Sequence, residues 1–253
     1  MEVRLEGGAE LYNRLKALQG FIDYLNLDFS EEGVRLRQLD PPRVVLVDMF
    51  LPVEIFTKYV GGEKFAVSTY ELMKILKYCK KDDAIELSTG KLNGYNVLNI
   101  KIINDVVKHE FSIPTLEYDD LELEVPDLPF TVKVELLCKT IKDIIKKVDM
   151  ISDTVQFIAK TDPVTTLLIG NSLENHAYWA ELTFENAGLL DAEIETNVRS
   201  AYSVGYLKDI LSPKFSNTDS VVIKFGEEMP IEITVPFRDD GYFKYLLAPR
   251  IEW

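Results

Sequence analysis

Four stretches of the chain carry apolar residues at steps of three and four, the mark of a helix with one buried face. The first runs from Ala9 to Leu25, with Leu11, Leu15, Leu18, Ile22 and Leu25 on one stripe. The second, from Ser68 to Asp82, aligns Leu72, Ile75, Leu76 and Cys79, and the third, from Leu137 to Ile151, aligns Leu137, Ile141, Ile144, Val148 and Ile151. The fourth, from Ser203 to Ser212, turns Leu207, Ile210 and Leu211 inward and is stopped by Pro213, which cannot continue a helix. Nearly everything between reads as β: 44–50, 84–88, 97–103, 155–159, 165–169, 178–184, 221–225 and 231–237. Turn signals punctuate these runs at Glu31-Glu32-Gly33, Gly61-Gly62, Gly90, Asn93-Gly94 and Asp239-Asp240-Gly241.

The pattern repeats. A shift of 126 positions lays the stripe Leu11 to Leu25 over the stripe Leu137 to Ile151. A shift of 135 lays Ala66, Ser68, Leu72, Ile75 and Leu76 over Ala201, Ser203, Leu207, Ile210 and Leu211. Two helix pairs matching in the same order imply a duplicated domain. The run from Thr115 to Pro129 is rich in Asp and Glu and holds two prolines, the composition of an extended, solvated connector. The expected organisation is α+β: an N-terminal domain over 1–118, an acidic connector over 119–129 and a similar domain over 130–253, each with two helices packed on antiparallel sheets.

Charge changes the picture. The 253 residues are 47% hydrophobic and 28% charged, a globular and not a disordered composition, and the formal net charge is −14. Such a balance argues against nucleic acid unless the basic residues are gathered in one place. They are gathered: the four helical segments (with Lys214 just beyond the fourth) carry twelve Lys or Arg against seven Asp or Glu, so the remainder of the chain holds a net −19. Outer helix faces of this kind would contact phosphates without reading sequence. Aromatic interleaving among the lysines is not expected, which disfavours stacking on single-stranded bases and favours duplex backbone.

Ordinary catalysis finds little support. The chain has no CxxC, HxxxH, GxxxxGK[ST] or GxSxG motif, and its two histidines, His109 and His176, sit in strand-like contexts. Carboxylates such as Asp119, Asp120, Glu122 and Glu124 read as solvated faces; Asp48, inside an apolar strand, is the one metal-ligand candidate. A carboxylate-based, metal-dependent nuclease and an acidic protein-only adaptor are the competing readings. No catalytic residue, metal or cofactor is assigned. Cys79 and Cys138 read as buried thiols of a reducing compartment. No apolar run reaches membrane-spanning length, and the Met-Glu-Val-Arg start lacks a signal-peptide layout. A cytoplasmic, nucleoid-associated protein without membrane partners is expected.

Several runs resemble one family. Phe243-Lys244-Tyr245-Leu246-Leu247-Ala248-Pro249-Arg250-Ile251-Glu252 resembles the closing motif of the proliferating cell nuclear antigen (PCNA) family, the DNA polymerase sliding clamps. So does Gly33-Val34-Arg35-Leu36 with Leu39-Asp40-Pro41-Pro42-Arg43-Val44-Val45-Leu46-Val47, while Met73-Lys74-Ile75-Leu76-Lys77 resembles a lysine-bearing helix of the family's DNA-facing region. The similarity runs end to end. The compact connector and missing acidic tail are more like archaeal members.

The resemblance implies a DNA clamp fold whose subunits close head to tail into a trimeric ring, of the same chain or of paralogues, with the helices lining a hole for duplex DNA. It implies a role in replication and repair, with DNA polymerase, flap nuclease, DNA ligase and a clamp loader docking through short peptide motifs. The DNA-facing residues implied are Arg14, Lys16, Lys74, Lys77, Lys80, Lys142, Lys146, Lys208 and Lys214; Tyr12 and Asn13 stand where relatives often carry lysines. The implied partner-peptide pocket, between the domains, is Leu39, Arg43, Val44, Leu46, Leu123, Val125, Pro126, Pro230, Leu246, Leu247, Ala248 and Pro249. The implied subunit interface is two strands, carrying Val107, His109 and Phe111 on one and Tyr178, Ala180 and Leu182 on the other.

Overall fold

The computed structural model describes residues 1–120 and 123–251; Glu122 of the connector and Glu252 of the closing motif lie outside the described residues. The chain forms two compact units. The first takes Met1–Pro41, Val47–Glu124 and Phe237–Phe243, and the second takes Pro42–Leu46, Val125–Pro236 and Lys244–Trp253. The division near 124 is accompanied by two short exchanges, so that each unit contains a few residues from the other half of the sequence.

Within the first unit the order is β1 (Glu2–Glu6), α1 (Gly8–Leu15), β2 (Tyr24–Phe29), β3 (Gly33–Leu39), β4 (Val45–Pro52), β5 (Phe56–Val60), β6 (Glu63–Ser68), α2 (Thr69–Leu76), β7 (Ala84–Leu92), β8 (Tyr95–Ile103) and β9 (Lys108–Pro114). The second unit follows with β10 (Val132–Leu137), α3 (Cys138–Val148), β11 (Thr154–Lys160), β12 (Thr166–Ser172), β13 (Ala177–Leu182), β14 (Asp191–Ile194), β15 (Val198–Ser203), α4 (Val204–Ile210), β16 (Ser220–Phe225), β17 (Ile231–Pro236) and β18 (Tyr242–Leu247). The repeat is complete at the level of pairing. The first unit orders its strands β5-β1-β7-β8-β9 and β4-β3-β2-β6; the second orders them β14-β10-β16-β17-β18 and β13-β12-β11-β15. Adding nine to every strand label converts one into the other.

The helices are shorter than their apolar stripes. α1 stops at Leu15 and is followed by a 3₁₀ turn over Lys16–Gly20, yet Leu18, Ile22 and Leu25 remain buried. Turn and strand deliver them to the core that the helix began, which is why periodicity alone ran past the helix end. α2 starts where the Ser68 hydroxyl accepts from the Glu71 N–H, an N-cap that satisfies one free donor of the first turn. Asn93-Gly94, both at positive φ, form the two-residue turn joining β7 to β8, as such dipeptides do. Gly90, expected in a turn, instead sits in β7 opposite Val97. Gly33 is needed where it stands: its φ is +145°, and a Cβ would collide with the Leu51 carbonyl.

Each unit has its own core. In the first, Leu11, Leu15, Leu25, Leu27, Leu72 and Leu76 converge between helices and sheet. In the second, Phe157 stands edge-on to both Tyr202 and Phe225, with centroids 5.7 and 5.8 Å away. The fully buried Tyr202 hydroxyl donates to the Met229 carbonyl at 2.9 Å, and burial raises its pKa. Both cysteines are buried free thiols; burial, with Asp83 nearby, pushes Cys79 up to about 12.

Asp48 is a structural hub. Only 2% exposed, it accepts from Arg37 Nε at 2.9 Å and from the Tyr242 hydroxyl at 2.8 Å, with Arg35 3.5 Å away. Arg37 in turn donates to the Leu123 carbonyl at 3.1 Å, tying the connector's first residues to β3. The Tyr242 phenol is pushed up by burial and by its bond to this carboxylate. Asp48 is therefore committed to arginine and tyrosine donors. Asp48→Ala should destabilise the fold by about 3 kcal/mol, because partly buried donors lose their acceptor, and Asp48→Asn by less. Urea unfolding checks this; a change below about 0.5 kcal/mol for the alanine variant would remove the hub role.

Candidate nucleic-acid interface

The lysines of the first unit gather on and beyond α2. This helix buries Leu72, Met73, Ile75 and Leu76 and leaves Tyr70, Lys74, Lys77 and Tyr78 exposed on the other side. The Lys74 ammonium lies 5.9 Å from the centre of the Tyr70 ring, and that of Lys77 lies 5.0 Å from Tyr78. Aromatic rings therefore do stand among the lysines, contrary to the sequence expectation. The apolar stripe marks only the buried face of the helix; the signal for the rings is Tyr70 four residues before Lys74 and Tyr78 directly after Lys77. Lys80 is exposed just beyond, and Lys16 is half-buried on the 3₁₀ turn. Arg14 departs from expectation. It is 8% exposed and lies on the inward side of α1 with Leu11 and Leu15, so it is not part of an exposed cationic face.

In the second unit α3 buries Cys138, Ile141, Ile144, Ile145 and Val148 and exposes Lys139, Lys146 and Lys147. Lys147 pairs with Asp143 one turn away, and Lys208 of α4 pairs with Asp149, both at 2.7 Å. Lys146 and Lys214 are exposed. Lys142 is otherwise engaged: its ammonium donates to the Ser212 and Pro213 carbonyls at 2.9 and 2.5 Å. It serves the frayed end of α4, where unpaired carbonyls favour a cation.

The two strands named for subunit contact are both sheet edges. β9 closes the run β5-β1-β7-β8-β9, and β13 closes β13-β12-β11-β15. From Lys108 to Ser112 every side chain of β9 is exposed, Phe111 at 37%; Val107 precedes the strand at 44%. A groove of about 380 Å³ beside it is lined by Tyr78, Lys80, Asp83, Asn104, His109 and Phe111. On β13, Tyr178 and Ala180 are half-buried and Trp179 is 38% exposed, whereas Leu182 is buried at 3% and belongs to the core.

The residues expected around a peptide pocket divide. Leu39 and Leu123, in the first unit, are half-buried. In the second, Arg43 and Pro126 are exposed and Val44, Val125, Pro230, Ala248 and Pro249 are half-buried. The Ala248 N–H donates to the Val44 carbonyl at 2.9 Å, joining two of them directly. Leu46, Leu246 and Leu247 are 8%, 5% and 0% exposed; the adjacent Leu246 and Leu247 point to opposite faces of β18, both covered there, so these three present little surface to a ligand. A cleft of about 180 Å³ adds residues that sequence reasoning did not name: Arg199, Ser200, Ala201, Glu227 and Glu228, beside Pro249 and Arg250. No local motif marks them, since strand and loop meet there only after folding.

Among the described residues no cluster of His, Cys, Asp or Glu could hold a metal ion, and no helix is long and apolar enough to cross a membrane. The family model "proliferating cell nuclear antigen, N-terminal domain" matches residues 1–124. The chain is 37% identical to DNA polymerase sliding clamp 1 of Thermococcus kodakarensis, over 99% of this chain and 98% of the relative. It is 36% identical to the DNA polymerase sliding clamp of Pyrococcus abyssi over the same shares. Among solved structures, PCNA from Thermococcus kodakaraensis superimposes with a TM-score of 0.91 at 32% identity, covering 98% of this chain and 99% of that one. A PCNA2–PCNA3 complex from Sulfolobus tokodaii gives 0.86 at 27% identity, with full coverage of both chains. With near-identical pairing orders in its two units and this end-to-end similarity, the chain belongs to the proliferating cell nuclear antigen family of DNA polymerase sliding clamps.

Proposed function

We propose that this chain is the subunit of a ring that encircles duplex DNA, tethers a replicative polymerase and serves as a docking platform for replication and repair enzymes, without catalysis of its own. The observation that carries it is the segregation of charge: exposed Lys74, Lys77, Lys80, Lys146, Lys208 and Lys214 stand on or beside helices of a chain whose net charge is −14. Such a surface binds phosphates weakly and without sequence preference, which suits a protein that must slide. Replacing Lys77 and Lys146 together by alanine should lower processivity on primed circular DNA and flatten the salt dependence of binding. Melting temperature should barely move, since exposed charges contribute little to stability. Unchanged processivity and an unchanged salt slope would refute this lining.

Ring closure follows from the repeat. β18 and β4 meet inside each unit, through Ala248 N–H on the Val44 carbonyl in the second and Tyr242 on Asp48 in the first. Their repeat counterparts, β9 and β13, each end a sheet among the described residues. One chain thus carries both halves of a head-to-tail contact, and repeated heterologous contacts of this kind close into rings. Phe111→Asp should reduce the mass measured by light scattering from about three times 28.9 kDa to a single chain, with unchanged circular dichroism. A trimer in that variant would place the contact elsewhere.

Partner enzymes dock short peptides on the half-buried Val44, Val125, Pro230, Ala248 and Pro249 of the second unit. Acidic residues nearby, Glu227 and Glu228 among them, speed the encounter with basic-flanked peptides. Ala248→Asp should weaken such a peptide by tenfold or more in calorimetry, about 1.4 kcal/mol, while ring mass stays unchanged. Wild-type affinity in that variant would move the pocket.

A further inference from the structure

α2 presents a surface that duplex binding alone does not explain. Tyr70 and Lys74 lie one turn apart on α2, and Lys77 and Tyr78 follow on the turn just past its end at Leu76. The two rings are 69% and 65% exposed. Neither packs into the core that Leu72, Met73, Ile75 and Leu76 build, so stability does not require aromatic residues there. A lone exposed ring is ordinary. Two rings bracketing two lysines, on one of the two net-cationic helical segments of an acidic chain, form a pattern with a chemistry.

That chemistry is visible in the resting contacts. Among the described residues no carboxylate pairs with Lys74 or Lys77; each ammonium instead rests over a tyrosine ring, at 5.9 and 5.0 Å. The rings are thus flanked by cations that have no carboxylate partner among the described residues. An exposed cation–π contact is weaker than stacking of a nucleobase on an aromatic face. A base can displace the ammonium from the ring and leave it free to meet the adjoining phosphate. Tyr70 lies in the first turn of α2 and Tyr78 two residues past its end, a separation on the order of 10–15 Å by helical rise that a short run of nucleotides spans. Duplex DNA cannot use the rings in this way, because its base faces are occupied by their own neighbours.

We propose that this face of α2 binds single-stranded DNA, with unpaired bases stacking on Tyr70 and Tyr78 while Lys74 and Lys77 take the flanking phosphates. The proposal rests on the reading that the lysine-bearing helix surfaces meet nucleic acid, and adds a strand specificity to it. Duplex backbone would engage the lysines; exposed template or a displaced strand would engage lysines and rings together.

Anisotropy titrations of the full chain with a labelled 20-nucleotide oligothymidine and a labelled 20-base-pair duplex, each at two salt concentrations, test this. Tyr70→Ala with Tyr78→Ala should weaken oligothymidine binding roughly tenfold or more and duplex binding less than about twofold. Tyr70→Phe with Tyr78→Phe should keep wild-type affinity for both, because the ring face is retained. Lys74→Ala with Lys77→Ala should weaken both ligands and flatten both salt slopes. Equal losses on the two ligands from the tyrosine-to-alanine pair, or no loss on oligothymidine, would overturn stacking. So would equal losses from the phenylalanine and alanine pairs. Wild-type binding of a polyglutamate peptide as tight as that of oligothymidine would mark a generic anion surface and also overturn it. If the lysine pair alters neither ligand, the lining reading fails as well; if it alters both while the tyrosine variants alter neither, only the stacking proposal fails.

Discussion

A strand at the edge of a sheet exposes backbone donors and acceptors that have to be paired, covered or blunted. Much of this molecule follows from how its duplicated units meet that requirement. The repeat gives every strand a counterpart nine labels away, and the counterparts have different fates. β4 and β18 find each other through Ala248 on Val44 and Tyr242 on Asp48. β9 and β13 each pair on one side only among the described residues, and β9 is exposed on both faces from Lys108 to Ser112. The strand carries Lys108, His109 and Glu110, charged or polar groups that discourage indiscriminate pairing while leaving the ladder open to a matched partner.

The second organising fact is the sorting of charge. Asp and Glu dominate a chain with 42 acidic and 28 basic residues, yet lysine recurs on the solvent side of the helices. A uniform distribution would have made any phosphate contact repulsive on balance. Sorting permits a local attraction on a globally repelled body, and such attraction decays over about one Debye length, near 8 Å at physiological salt. Only a phosphate held close to the helices experiences it.

The helical repeat was legible in sequence because apolar residues recur at helical spacing in both halves, and Asn93-Gly94 announced its hairpin by chemistry that only a few dipeptides share. The helix ends were not legible. Leu18, Ile22, Leu25 and Cys79 stay buried beyond α1 and α2, so the burial pattern continues after the hydrogen-bond pattern has changed. Exposure was legible where it follows from the apolar stripe, as for Lys74, Lys77 and Lys146, and illegible where a long side chain can turn. Arg14 folds inward, and Lys142 reaches two carbonyls at the end of another helix. Strand alternation does not govern the end of β18: it is covered on both faces, so the consecutive Leu246 and Leu247, expected to line a pocket, are both buried. The cleft at Arg199 and Glu228 joins residues far apart in sequence, and no local pattern encodes such a meeting.

The lysine surface is also moderated from within. Lys147 is held by Asp143 and Lys208 by Asp149, whereas Lys146, next to Lys147 in sequence, is exposed without such a carboxylate among the described residues. Exposed pairs of this kind are worth little in stability, so their effect lies in the field they leave behind. A lysine that already has a carboxylate neighbour offers a phosphate less net attraction, and exchanging one partner for the other costs little. Alternating paired and unpaired cations therefore gives a surface with many shallow minima instead of a few deep ones. For a ligand that must remain enclosed yet move freely, low barriers between equivalent contacts matter more than the depth of any one of them, and a partly neutralised helix face achieves that with the side chains seen on α3 and α4.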